Sequence, residues 1–431
     1  MAATYHNEYR YNRFDEQYYE ELTSRKWFVE KTLEVQTVAD AVVLPFIANE
    51  TREISWGKGG VVDSDGNYVG LSASMNFGRC EEDRMVGAYP FEKNDCDYID
   101  EEVVYIGLII NHYGHLLVDC TNRLWFIIKH RPSCRIVYLP ETRRQMHGAF
   151  EELMNIVGVE QKRLLAVTKP LRCKSVIIPE RSEYPGKYWT REYKETFDYI
   201  RDQVPADTRY EKIYFSRQRL MISYVKERGE NEIVPLLKKA GYTILYPEQY
   251  TIREKIALMK GCKELATICG TTPFQLMFGC DNTKLTVFNK TYESNIFEFM
   301  IGDMRNLEVT YIDAFYSLFP TNIGQGPFII WKNENVVRYF KDNYGIETTP
   351  SKYLHSYISW YLKHYFDFNP ELRDNVNGKE LYDYFRKPFG QYRFSLSRIV
   401  NDLKYMFVSA PYTARMELTL LFSNIRRKLK L

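Results

Sequence analysis

At 431 residues the chain is too long for one ordinary hydrophobic core, so two domains with additional segments are expected. Hydrophobic residues at 45% and charged residues at 26% match a soluble globular protein, and a net charge of +2 supplies no global field for nucleic acid, which argues against a nucleic-acid partner. Aromatic residues reach 15%, with 35 tyrosines, an excess that fits large contact surfaces, sugar-stacking platforms or simply an AT-rich genome. The eight cysteines form no C-x-x-C pair and no zinc-like cluster, so reduced thiols in a cytoplasmic protein are expected. The N-terminus lacks an apolar signal core, and no stretch approaches the roughly 18 apolar residues of a membrane span.

Taken in chain order, residues 1 to about 30 are charged and Tyr-rich and read as a helix or a loose arm. "TVADAVVLPF" and "GGVVDSDGNYVGLSAS" read as short strands, with Asp65-Gly66 as a hairpin turn. "VVYIGLII" is a continuous apolar run fit for a buried strand, and "NHYGHLLVDCTNRLWFIIKH" follows it with helical spacing of Leu116, Leu117, Leu124 and Ile128. "CRIVYLP", "HGAFEELMNIVGV" and "KSVIIPE" continue the alternation as strand, helix and strand, which predicts parallel α/β architecture. A linker-like Tyr-Pro-Gly and a helix lead to a second alternation. It begins at "KIYFSRQRL" and runs through helix, strand, helix, strand, elbow, helix and strand to "TKLTVFNK", with Gly241 as a helix C-cap. Beyond about residue 320 the pattern is mainly helical and aromatic.

Three segments carry chemistry. In "YFSRQR" a strand ends in Arg217 and Arg219, where open α/β sheets bind ligands and where the guanidinium fork suits phosphate; two solvated surface arginines are the plainer alternative. In "TICGTTPFQLMFG" the small elbow Gly270-Thr271-Thr272 precedes a helix, a place where backbone N–H groups can meet an anion, although most such turns bind nothing. In "NHYGHLLVD" His112, His115 and Asp119 share one helical face, so that a carboxylate can fix the tautomer of an imidazole base. Asn111 is the expected N-cap, and a capped helix start is the plain alternative to a base.

The order of these segments resembles glycosyltransferase family 61, whose members include capsular polysaccharide biosynthesis proteins. The resemblance runs from about residue 35 to 300. Asn111 or His112, His115, Leu117, Asp119, Arg123 and Leu124 fill an N-x-x-H-x-L-x-D…R-L pattern. Ser216 and Arg217, Asn231 and Glu232 (with Arg228 just before), and Pro247 and Glu248 follow in order. The elbow is similar to H-G-A-G-L-T-N-x-x-F but departs from it: Cys269 stands for the His, Thr272 for the second Gly and Gln275 for the Asn, while Gly270 and Phe278 are kept.

That resemblance implies a GT-B-type pair of Rossmann-like domains facing a cleft. Residues 1–30 would be an arm, 31–195 the acceptor-side domain, 196–320 the nucleotide-sugar domain and 321–431 a helical, aromatic-rich extension. It implies a bacterial, metal-independent, inverting transferase that moves a hexosyl or pentosyl group from a nucleotide-sugar donor to a glycan or lipid-linked glycan acceptor. His115 and Asp119 would supply the base, and Arg217, Arg219, Gly270, Thr271, Thr272 and Gln275 would bind the nucleotide-sugar. No cofactor and no metal are expected. The basic end "LTLLFSNIRRKLKL" reads either as a contact with the inner face of the membrane or as an ordinary solvated helix end. Homo-oligomerisation stays open. The competing readings are a non-catalytic nucleotide-sugar-binding scaffold and a GT-B-type nucleotide-sugar epimerase.

Overall fold

The computed structural model describes residues 3–10, 16–50, 55–74, 83–141, 148–316 and 323–352, with individual positions between 357 and 368. Two sheets organise these residues. The first has seven strands in the order Gly57–Val62, Val42–Ala48, Leu171–Pro179, Asp97–Ile109, Arg135–Pro140 and Leu164–Ala166, with Val35–Ala39 also pairing to Leu171–Pro179. Its four later strands run parallel, as the apolar runs in "VVYIGLII" and "CRIVYLP" predict. The three early strands are antiparallel, so this sheet is mixed and not purely doubly wound. The hairpin turn forms as expected: Asp63 Oδ1 accepts from the amides of Asp65 and Asn67, at 2.9 and 2.8 Å, and Val62 pairs with Tyr68.

The second sheet is parallel throughout, in the order Thr243–Leu245, Lys212–Phe215, Glu264–Ile268, Lys284–Asn289, Glu308–Asp313 and Thr4–Tyr9. Strand periodicity sends alternate side chains to opposite faces, and both faces are covered. Ile213, Phe215, Leu265, Leu285 and Val287 face a core shared with the first sheet. Tyr214, Ala266, Ile268 and Phe288 face a second core closed by Val336, Tyr339 and Phe340 of helix Glu334–Tyr344. The arm is therefore not loose. Its strand extends the far sheet beside Glu308–Asp313, and its helix Glu16–Ser24 seats Tyr19 edge-on against Phe299 and Tyr311.

The two sheets share one continuous apolar core, in which Val104 and Leu117 belong to the same cluster as Leu265 and Phe278. Helix Arg191–Asp202 lies along the junction and sets Phe197 edge-on to Phe278 at 5.2 Å. Arg305, with its side chain fully buried, bonds Asp198 of that helix and the Met277 carbonyl. The expected helix over 111–130 is broken into Tyr113–Val118 and Leu124–His130. Between them Asn122 bonds the Asp119 carbonyl, and Arg123 turns inward to the carbonyls of Leu71, Ala73 and Pro179. Gly107 leaves room for that guanidinium, since a Cβ there would sit 2.6 Å from it.

Past residue 323, Phe328–Ile330 pairs with Glu227–Arg228 and Phe315–Tyr316 in a small third sheet. The described positions after 356 place Tyr361 and Tyr365 against Ile329. The basic segment 418–431 lies outside the described residues. Among the described residues no helix is long and apolar enough to cross a membrane, and the cysteines are free thiols.

Candidate active site

Each sheet delivers one group of polar side chains from the C-terminal ends of its parallel strands, and the two groups meet. From the first sheet, strand Asp97–Ile109 leads into helix Tyr113–Val118. His112, not Asn111, is its N-cap residue, and it makes no side-chain capping bond. His115 Nδ1 and Asp119 Oδ2 are hydrogen-bonded one turn apart, so the shared face read from the spacing is formed. Burial works against charge on Asp119, but the His115 bond and the charges of His115, Arg84 and Arg181 outweigh it and hold its pKa below the usual value. Its second oxygen, Oδ1, is buried without a hydrogen-bond partner among the described residues. Burial, with His115 beside it, pushes the His112 pKa down.

Aromatic and cationic walls complete this half. Trp56 stands edge-on to His115 at 5.6 Å, and His112 lies 5.1 Å from it. The Arg84 guanidinium covers the Trp56 ring at 4.0 Å and brings Nε to 3.9 Å from Asp119 Oδ2. Neither Trp56 nor Arg84 is legible in the sequence as a neighbour of His115, because Trp56 leads into edge strand Gly57–Val62 and Arg84 lies in a connection after it, some thirty to sixty positions upstream.

From the second sheet, neighbouring strands Lys212–Phe215, Glu264–Ile268 and Lys284–Asn289 end at Arg217, the Gly270 elbow and Lys290. Arg217 is buried and not a solvated surface arginine. Its Nε and Nη2 donate to the two oxygens of Glu227, both at 3.0 Å, and Lys290 Nζ donates to the same carboxylate at 2.9 Å. Burial opposes the Glu227 charge, yet Arg217 and Lys290 overcome it and hold the carboxyl far below its usual range. The remaining Nη1 of Arg217 faces the elbow, 3.8 Å from where a Cβ on Gly270 would lie. The Arg217 amide donates to Glu230, which also accepts from Tyr214 Oη at 2.9 Å; burial raises the Glu230 pKa to about 7. Arg219 stacks at 3.5 Å over the Tyr246 ring.

The elbow differs from the expectation in two respects. A 3₁₀ helix, Thr272–Phe278, follows it instead of an α-helix, and Thr272 and Gln275 are buried. The Gly270 amide, at φ +141°, is directed to Glu298 Oε1 at 3.4 Å and so already has an acceptor. The Thr271 amide has no hydrogen-bond partner among the described residues. Burial pushes the Glu298 pKa up to about 8. Cys269, at the position where the resemblance expects His, is buried; its Sγ accepts from the Lys290 amide and its pKa is pushed up to about 12 by burial.

Contact between the groups is direct. A Cβ on Gly114 would lie 2.5 Å from Thr271 Cγ2, so only glycine lets the dyad helix approach the elbow this closely. Beside that contact Tyr113 Oη donates to Gln275 Oε1 at 2.9 Å. His115, Asp119, Arg217, Gly270, Thr271, Thr272 and Gln275 thus fall along one seam, with Arg219 at its margin. Glu227, Lys290 and Glu298 join them unforeseen; Lys290, placed after a strand exactly as Arg217 is, was the one with a readable signal. Among the described residues no three His, Cys, Asp or Glu side chains are grouped to hold a metal ion.

Comparison with known proteins agrees with the motif order. No curated protein matches the chain. The family model described as Glycosyltransferase 61 matches residues 113–286, a span that opens at the dyad helix and closes within strand Lys284–Asn289. The matched residues carry the dyad helix, Arg217 and the Gly270 elbow, and over that span the chain is similar to glycosyltransferase family 61.

Proposed function

We propose that the protein is an inverting glycosyltransferase that uses a nucleotide-sugar donor, with a surface or capsular glycan as acceptor. The observation that carries this reading is the Gly114–Thr271 contact, which sets a histidine–carboxylate pair from one sheet against an anion-suited elbow and a buried arginine from the other. Asp119 ties up His115 Nδ1 and leaves Nε2 to take the proton of an acceptor hydroxyl. The hydroxyl oxygen then bonds to the anomeric carbon as the bond from that carbon to the diphosphate oxygen breaks, inverting the centre. Charge on the departing diphosphate is met by Arg217 Nη1 and the Thr271 amide, held in place beforehand by Glu227 and the 3₁₀ turn. Such a site neutralises the leaving group with protein cations and needs no metal for that step. The paired domains would then form a GT-B cleft.

A scaffold reading draws on one observation: Cys269 stands buried where the family pattern has His. The test is a thermal-shift series with UDP-, GDP-, CMP- and dTDP-sugars, with and without magnesium, followed by product analysis. One nucleotide family should raise the melting temperature by mass action, and His115→Asn should keep that shift while losing transfer. Binding without transfer by the wild type favours the scaffold, and no binding at all removes the nucleotide-sugar reading.

A further inference from the structure

Lys255 lies on helix Ile252–Gly261, which starts at a capping box made by Thr251 and Glu254. Its ammonium sits 4.0 Å above the ring of Tyr113, the residue whose hydroxyl bonds Gln275 at the seam. The side chain is largely withdrawn from water, and no carboxylate lies within ion-pair distance of it among the described residues. Two carboxylates face it at longer range. Glu152 is engaged elsewhere, its oxygens accepting from the amides of Ile252 and Arg253 at 3.0 and 3.2 Å. Glu248 is exposed to solvent, and Arg219 also acts on its charge. A π-face compensates a desolvated ammonium less well than an ion pair does, so this cation is held at a cost. Consistent with that, burial lowers the Lys255 pKa to about 8 against the pull of Glu152 and Glu248.

We propose that Lys255, which stands over Tyr113 where that residue bonds Gln275 at the seam, is a diphosphate-binding residue whose missing counter-charge is the diphosphate of a nucleoside-diphosphate ligand. The inference rests on the nucleotide-sugar reading of the seam and adds a residue that neither the motif order nor the Arg217 cluster contains. Arg217 and Lys290 already share Glu227, whereas the Lys255 charge is uncommitted. The ligand's second phosphate would take that place.

The experiment is calorimetric titration of the full chain with UDP, GDP, CDP, dTDP and inorganic pyrophosphate at pH 7.5 and 9, for the wild type, Lys255→Met and Lys255→Arg, alongside melting curves without ligand. For the nucleoside diphosphate that the wild type binds, Lys255→Met should weaken binding about tenfold at pH 7.5, as expected for one charge-assisted contact. Wild-type affinity should fall towards pH 9 as the ammonium deprotonates, and Lys255→Arg should abolish that fall. The unliganded Lys255→Met protein should melt higher than the wild type, because it no longer buries an unpaired charge; a lysine that only braces the helix would give the opposite sign. Wild-type-like binding by Lys255→Met overturns the inference while the nucleotide-sugar reading survives. Failure of the wild type to bind any of the five ligands overturns both.

Discussion

The dyad region and the Arg217 region hold their charges by opposite strategies. His115 and Asp119 are one helical turn apart, and a single hydrogen bond makes the pair. Arg217, Glu227 and Lys290 come from three separate segments spanning more than seventy positions and are almost fully enclosed, with every ion leaning on another. His115, partly exposed, can be exchanged with little consequence for folding, because Asp119 keeps Arg84 and Arg181 beside it. A buried triad assembled by tertiary structure is part of the fold itself, since losing one member strands the others in low dielectric.

The largest expected effect tests that contrast in the triad. Glu227→Gln leaves two buried cations facing a neutral amide and should cost about 3–5 kcal/mol in chemical denaturation. A comparable loss from Asp119→Asn would erase the distinction between the regions. Next, His115→Ala should lower kcat by roughly 10²–10⁴-fold, the range for a general base, with a denaturation midpoint near that of the wild type. An active His115→Ala protein would move the base elsewhere.

A smaller effect tests the contact between the regions. Gly114→Ala forces its methyl onto Thr271 Cγ2 and should destabilise by about 1–3 kcal/mol as overpacking does. Thr271→Ala in the same chain removes the opposing methyl and should recover most of the loss; additive effects in that double-mutant cycle would mean the two residues do not touch. The smallest effect is a slope. The Glu298 pKa is raised in the folded state, so the folded protein holds a proton that the unfolded chain releases at ordinary carboxyl pH. Its contribution is full below about pH 4.5 and is lost as pH rises to about 8. Glu298→Gln should therefore flatten the decline of Tm across that window, and an unchanged slope would show that Glu298 does not titrate there.

Much of this molecule could be read from local pattern. The buried strands, the Asp65-Gly66 turn, the alternation of strands and helices and the His115–Asp119 spacing each depend on residues close in sequence, where backbone periodicity decides which side chains share a face. The motif order read over about residues 35 to 300 was likewise enough to point to the family whose model matches residues 113–286. What only tertiary structure decided involves partners far apart in the chain. The arm becomes an edge strand because Glu308–Asp313 offers unpaired backbone groups beside it. Arg217 is buried because Glu227 and Lys290 surround it, the Gly270 amide is taken by Glu298, and Gly114 is needed because Thr271 lies against it. Periodicity carries no information about which distant side chain will fill a given space; close packing and the cost of an unpaired buried charge settle that only once the chain has folded.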